Sequence, residues 1–352
     1  MFKNLKNKII ENRIKYLIFF PVLILHLSCR HDQDIIMTVK GPINPAEMGV
    51  TLSHEHVMVD WIGADSTGPQ RWDRGTVIRT VLPYLKDLRI LGCATFIDCT
   101  PPFLGRDVHI LKALSDSSGM HILTATGYYG AHQDKFIPSK AKTETAGEIA
   151  GHWISEWEEG IENTGIKPGI IKIGVDDTDT LPEMHQKLVR AAAIAHLATG
   201  LTIVSHTGPG RSILQQVKIL KEEGVAPSAL VWAHAQRGTQ ELQLEAARKG
   251  VWISLDNVND NPETIAEYVG MIRTMKENNL LHKVLLSHDA GWYDVKGLLG
   301  NKFRPYTTIF ASLVPALKQE GFTEQDIHQL LIVNPKDAFT VRKRSNTTIR
   351  NN

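Results

Sequence analysis

Cysteine is scarce in this chain: Cys29, Cys93 and Cys99 are the three among 352 residues. So few cannot build a disulfide framework, which excludes the small bridge-stapled scaffolds of secreted proteins. Cys93 and Cys99 read as a buried thiol and a strand residue. Net charge is almost absent, +1 at pH 7, so nothing points to nucleic acid. No glycine-rich phosphate loop follows the first apolar run, which argues against a dinucleotide-binding sheet. No low-complexity stretch or break in composition interrupts the chain after its first residues, so one continuous domain is expected.

The apolar run from Tyr16 to Leu27 is too short for a comfortable membrane span. It follows Lys3, Lys6, Lys8, Arg13 and Lys15 and precedes Ser28-Cys29. A basic segment, a short apolar segment and a small residue read as a secretory signal peptide over residues 1–28. Cys29 after Ser28 also resembles the lipobox of bacterial lipoproteins, although His26 stands where an apolar residue is usual. The expectation is export to a bacterial envelope. The product is either a periplasmic protein or a lipoprotein anchored through Cys29, with no other tie to a membrane. A tether over 29–35, a domain over 36–341 and a disordered tail over 342–352 complete the predicted organisation.

Eight short apolar or β-branched runs cross the domain: 50–57, 94–99, 121–128, 169–175, 201–206, 229–234, 251–257 and 284–289. Helical spacing recurs between them, over 77–91, 147–162, 183–198, 212–223, 239–249 and 262–278. Pro182, Pro209 and Pro262 stand near helix starts. Gly200, Gly224 and Gly250 stand at helix ends. Repeated strand–helix alternation predicts parallel βαβ units, and eight of them predict an α/β (β/α)8 TIM barrel. An open doubly wound sheet is the alternative. In a barrel the active site lies at the C-terminal ends of the strands.

Those ends carry the chemistry. His54 and His56 are two apart, so in a strand both face one side. The apolar runs 201–206 and 229–234 end on His206 and His234, and the eighth ends on Asp289. A carboxylate at a buried strand end needs a partner, and a metal is a natural one. Lys172 interrupts the apolar Gly-Ile-Ile-Lys-Ile-Gly. A buried ammonium is poorly solvated, so this lysine either pairs with Asp176 or Asp177 or is a neutral amine carrying carbon dioxide as a carbamate. Histidine and carboxylate ligands suit zinc or manganese-like ions.

The order His-x-His, Lys, His, His, Asp resembles the phosphotriesterase family of the amidohydrolase superfamily. Gly41-Pro42-Ile43, Leu52-Ser53-His54-Glu55-His56, Gly169-Ile170-Ile171-Lys172-Ile173, Ser287-His288-Asp289 and Asn334-Pro335 are similar to that family's motifs. The resemblance implies a binuclear centre of two divalent ions, zinc with manganese or cobalt as alternatives. His54, His56 and Asp289 would hold one ion and His206 and His234 the other, with carboxylated Lys172 and a hydroxide between them. Asp289 would also accept the proton of the attacking water.

The resemblance further implies a hydrolase acting on a small-molecule lactone, carboxylic ester or phosphotriester, and a homodimer by analogy. Tyr128, Arg237 and Trp292, on loops after the third, sixth and eighth runs, are the expected substrate contacts. They favour a lactone or carboxylic ester over a phosphotriester. A barrel that binds metal and ligand without catalysis is the remaining reading. Asp256, at the end of the seventh run, is expected to orient a ligand.

Overall fold

The computed structural model describes residues 34–297 and 303–346. Cys29 and the expected signal segment over 1–28 lie outside the described residues, as does the tail beyond 346. Eight parallel strands alternate with helices, which makes an α/β (β/α)8 barrel. The strands are β1 (Thr51–Val59), β2 (Thr95–Asp98), β3 in two pieces (His121–Leu123 and Ala125–Thr126), β4 (Ile170–Gly174), β5 (Thr202–His206), β6 (Leu230–Ala233), β7 (Trp252–Asp256) and β8 (Val284–Ser287). A hairpin, Ile36–Thr38 with Gly41–Ile43, precedes β1.

The helices that follow the strands are α1 (Arg74–Ile90), α2 (Val108–Ser118), α3 (Ala146–Glu159), α4 (Glu183–Thr199), α5 (Ser212–Glu222), α6 (Gln240–Arg248), α7 (Pro262–Glu277) and α8 (Val314–Gln319). Helices α2 and α8 fall outside the segments with expected helical spacing. Asp107 caps α2 by accepting from the N–H groups of His109 and Ile110, and Val108, Ile110, Leu111 and Leu114 are buried. Thr145 and Glu148 form a capping box on α3. Gly200, at φ 80°, ends α4 in the left-handed conformation.

The strands are buried on both faces because helices cover the outside and neighbouring strands fill the inside. Every residue of β4 is buried, Lys172 included. The ladder is not continuous around the barrel. One sheet runs β8-β7-β6-β5-β4 to the second piece of β3, and the other runs from a ninth strand, β9 (Gly291–Asp294), through β1 and β2 to the first piece of β3. At Thr124, between the two pieces, the carbonyl accepts from Gly169 and Ile170.

Between β8 and β1 the seam is made largely by side chains. Ser53 Oγ donates to the Leu286 carbonyl at 3.1 Å, and the His54 N–H donates to Ser287 Oγ at 2.9 Å. The fully buried Glu55 accepts from Ser287 Oγ, from the N–H and Nδ1 of His288, and from the Ala290 N–H, all at 2.7–2.9 Å. The tail was expected to be disordered from 342, and through Asn346 it is not. The Arg342 N–H donates to the Gly200 carbonyl, and the Asn346 N–H to that of Gly224.

Candidate metal centre

Six side chains from five strands converge on one cavity of about 100 Å³: His54, His56, Lys172, His206, His234 and Asp289. Trp61, Cys99, Leu104, Tyr129, His132 and Trp292 complete its lining. His54 and His56 lie mid-strand in β1 rather than late in it, because β1 continues to Val59 beside β9. Lys172 is central in β4, and His206 ends β5. His234 follows β6 at φ 65° and Asp289 follows β8 at φ 48°. Both polar side chains therefore stand where the extended backbone turns.

Asp256 orients two of the imidazoles. His54 Nδ1 donates to its Oδ2 at 2.7 Å, and His234 Nδ1 donates to its Oδ1 at 2.6 Å. The backbone N–H of His234 reaches the same carboxylate. These bonds place the protons on Nδ1 and leave both Nε2 atoms as lone-pair donors. His56 is set in the same way. Thr100 gives its own hydrogen to the Met58 carbonyl, so its oxygen accepts from His56 Nδ1 at 2.7 Å. His56 Nε2 then faces Asp289 Oδ1 at 3.1 Å, acceptor against acceptor. That buried oxygen has no hydrogen bond among the described residues. Two inward lone pairs at this distance call for a cation between them, and the donor set fits one.

The electrostatics agree. Burial lowers the pKa of His54 to about 4, and Lys172 adds to the effect. Burial and then His234 hold His206 well below the usual histidine range. His234 is also penalised by burial, but Asp256 outweighs this and raises it. Asp289 is held low: burial opposes its charge, and His56, His54 and His234 overcome that. For His54, His206 and Asp289 these directions give the states a divalent ion needs, neutral imidazole and ionised carboxylate, whereas His234 follows its bond to Asp256.

Lys172 Nζ lies 3.1 Å from His54 Nε2. The two carboxylates offered as alternative partners are engaged elsewhere. Asp176 accepts from the N–H groups of His132 and Gln133, and Asp177 from that of Gly210. Gly127 packs against the back of β4, where a Cβ would overlap the Lys172 carbonyl. Its φ of 113° also belongs to glycine.

Two of the three expected substrate contacts, Tyr128 and Arg237, do not line this cavity. Tyr128 turns away from the cavity and packs edge-on against Trp153 and Phe103. Its neighbour Tyr129 takes that place, with its hydroxyl 3.0 Å from His206 Nδ1. Arg237 is exposed at the end of a short turn, Ala235–Arg237, and does not line the cavity. Gln236 beside it hydrogen-bonds the Asp256 carbonyl and carboxylate. Trp292 does line the cavity, 4.7 Å from the His56 ring and stacked on Trp61 at 5.3 Å. Tyr129, Trp61 and His132 line the cavity without being among the site residues expected from the sequence, and Glu55 braces the strand seam beside it. A carboxylate inside an apolar strand was the available signal for Glu55.

The profile of the phosphotriesterase family matches residues 35–339. A phosphotriesterase homology protein of Mycobacterium tuberculosis is 31% identical over 317 residues, 86% of this chain and 96% of its own. An aryldialkylphosphatase of Saccharolobus solfataricus is 29% identical, over 86% of this chain and 98% of its own. The solved structure of an organophosphorus hydrolase from Deinococcus radiodurans superposes with a TM-score of 0.76 at 28% identity, over 87% of this chain and 96% of that one. The barrel, the cluster at its strand ends and the extent of these matches lead to one conclusion: the chain belongs to the phosphotriesterase family, a family of hydrolases.

Proposed function

We propose that this hydrolase holds two divalent cations and cleaves a lactone or carboxylic ester. The supporting observation is the facing pair of acceptors, His56 Nε2 and Asp289 Oδ1, 3.1 Å apart within a convergent set of six side chains. His54, His56 and Asp289 would hold one cation and His206 and His234 the other, with Lys172 shared between them as a carbamate. When bound, such a pair lowers the pKa of water and polarises a carbonyl or phosphoryl oxygen.

The chain's own groups do the rest. Asp289 is ionised and accepts the proton of the attacking water. Asp256 and Thr100 fix the tautomers that keep three imidazoles turned inward. Trp61 and Trp292 form an aromatic wall, and Leu104 and Tyr129 narrow the cavity. A small aromatic-walled cavity admits a flat carbonyl centre more readily than a tetrahedral phosphorus bearing three substituents.

A phosphotriester is the second reading, supported by the names of the Saccharolobus and Deinococcus relatives. Turnover of lactones, aryl esters and phosphotriesters with zinc or manganese present separates the two. The expected result is kcat/KM for the best lactone or ester at least ~10²-fold above a paraoxon-like triester, about 2.7 kcal/mol in the transition state. Tyr129→Ala should narrow that gap. Equal or better triester hydrolysis would replace the first reading with the second. Export belongs to the same proposal: protein recovered from a native envelope should lack residues 1–28, which N-terminal sequencing or mass analysis reads directly.

A further inference from the structure

His132 lines the cavity of the proposed ligands and has no task in the reading above. It sits in a strained turn. His132, Gln133 and Asp134 have φ of 64°, 59° and 60°, so three successive residues with side chains are left-handed. Residues with a Cβ disfavour this conformation, and strain of this kind gathers at functional sites.

The turn is pinned from below. The Asp176 carboxylate accepts from the His132 N–H at 2.7 Å and the Gln133 N–H at 3.1 Å. The buried His185 donates through Nε2 to the Gly130 carbonyl and to Asp134 Oδ1, both at 3.1 Å. The Asp134 N–H returns to the Gly130 carbonyl. The imidazole of His132 stands edge-on to Trp61 at 5.8 Å and lies 6.2 Å from the Tyr129 ring. It is exposed, with solvent on one side and the cavity on the other.

We propose that His132 is a catalytic residue that protonates the oxygen leaving the acyl carbon. This rests on the hydrolysis proposed above. The hydroxyl of water bonds to the carbonyl carbon, and the proton it leaves behind passes to Asp289. As the C–O bond to the alcohol breaks, its electron pair stays on that oxygen, and His132 supplies the proton. Solvent at the cavity mouth reprotonates His132 and takes the proton from Asp289. The strained turn keeps the imidazole at the mouth, and Asp176 acts through it as a positioning residue.

The test is His132→Gln in the metal-loaded, full-length enzyme, on esters of one acid with alcohols of rising pKa. Aryl esters leave without help and should fall by no more than about threefold. Alkyl esters need the proton and should fall by about 10², which steepens the dependence on leaving-group pKa. Asp176→Asn, with His132 kept, should give a weaker form of the same selective loss. Metal content and melting temperature of His132→Gln should match the wild type. A loss equal for all esters, no loss at all, or a variant that sheds metal would overturn the role alone. If the wild type turns over no ester, the proposed function falls and this role falls with it.

Discussion

Lys172 is the residue whose chemistry departs furthest from its surroundings: apolar neighbours in β4, 1% exposure, and an imidazole nitrogen at 3.1 Å. Lys172→Ala should bring bound metal down from two equivalents to one or less and abolish turnover, and small carboxylic acids should partly restore both. Metal analysis beside activity checks this, and full metal occupancy without the lysine would contradict it. Asp289→Asn keeps the shape and one ligand oxygen but removes the base, so turnover should fall by about 10² or more. An Asn variant within a few-fold of wild type would eliminate the proton-acceptor role. The six converging residues were legible because each is a polar group closing or interrupting an apolar run. The choice between Tyr128 and Tyr129 was not. β3 ends at Thr126 and Gly127 turns to φ 113°, so strand alternation no longer says which tyrosine faces inward.

At the scale of elements, the barrel strands and most helices follow from short apolar runs, helical spacing, prolines near helix starts and terminal glycines. What periodicity could not show is how the last element is tied back. His196, buried near the end of α4, donates from Nδ1 to the Leu201 carbonyl at 2.7 Å. Its Nε2 accepts from the Arg344 N–H at 2.8 Å, and this pairing needs a neutral ring. No local pattern links residues 148 positions apart in sequence, so the tail read as polar and free. Burial lowers the His196 pKa from 6.5 to about 4. Because the folded value is the lower one, the unfolded chain takes up the proton first as pH falls. Stability is therefore lost progressively from about 6.5 down to about 4, amounting to about 3 kcal/mol. His196→Gln should be less stable at pH 7 and show a flatter decline toward pH 4. Urea unfolding at both pH values measures the difference, and parallel declines in the two proteins would exclude the mechanism.

For the molecule as a whole, the proposed ligands lie where the ladder is weakest. Between β8 and β1 the seam depends on Ser53, Glu55, Ser287 and a few backbone bonds. His54 and His56 come from one side of it and Asp289 from the other. A cation shared by these three would cross-link the seam, while His206, His234 and Lys172 extend the link to β4, β5 and β6. Ligands bound only in the folded state stabilise it by about 4 kcal/mol each at a thousandfold excess over Kd. Two cations would then contribute about 8 kcal/mol. At roughly 2 °C per kcal/mol for a large domain, chelation should lower Tm by more than about 10 °C, and zinc or manganese should restore it. Glu55→Gln tests whether the seam is the reason. It leaves every proposed ligand in place but weakens the carboxylate that joins β1 to His288 and Ala290, so the stripped protein should depend still more on metal. The Tm gap between loaded and stripped forms should widen in that variant relative to wild type. An unchanged gap would mean that the cations stabilise their own site without bridging the seam.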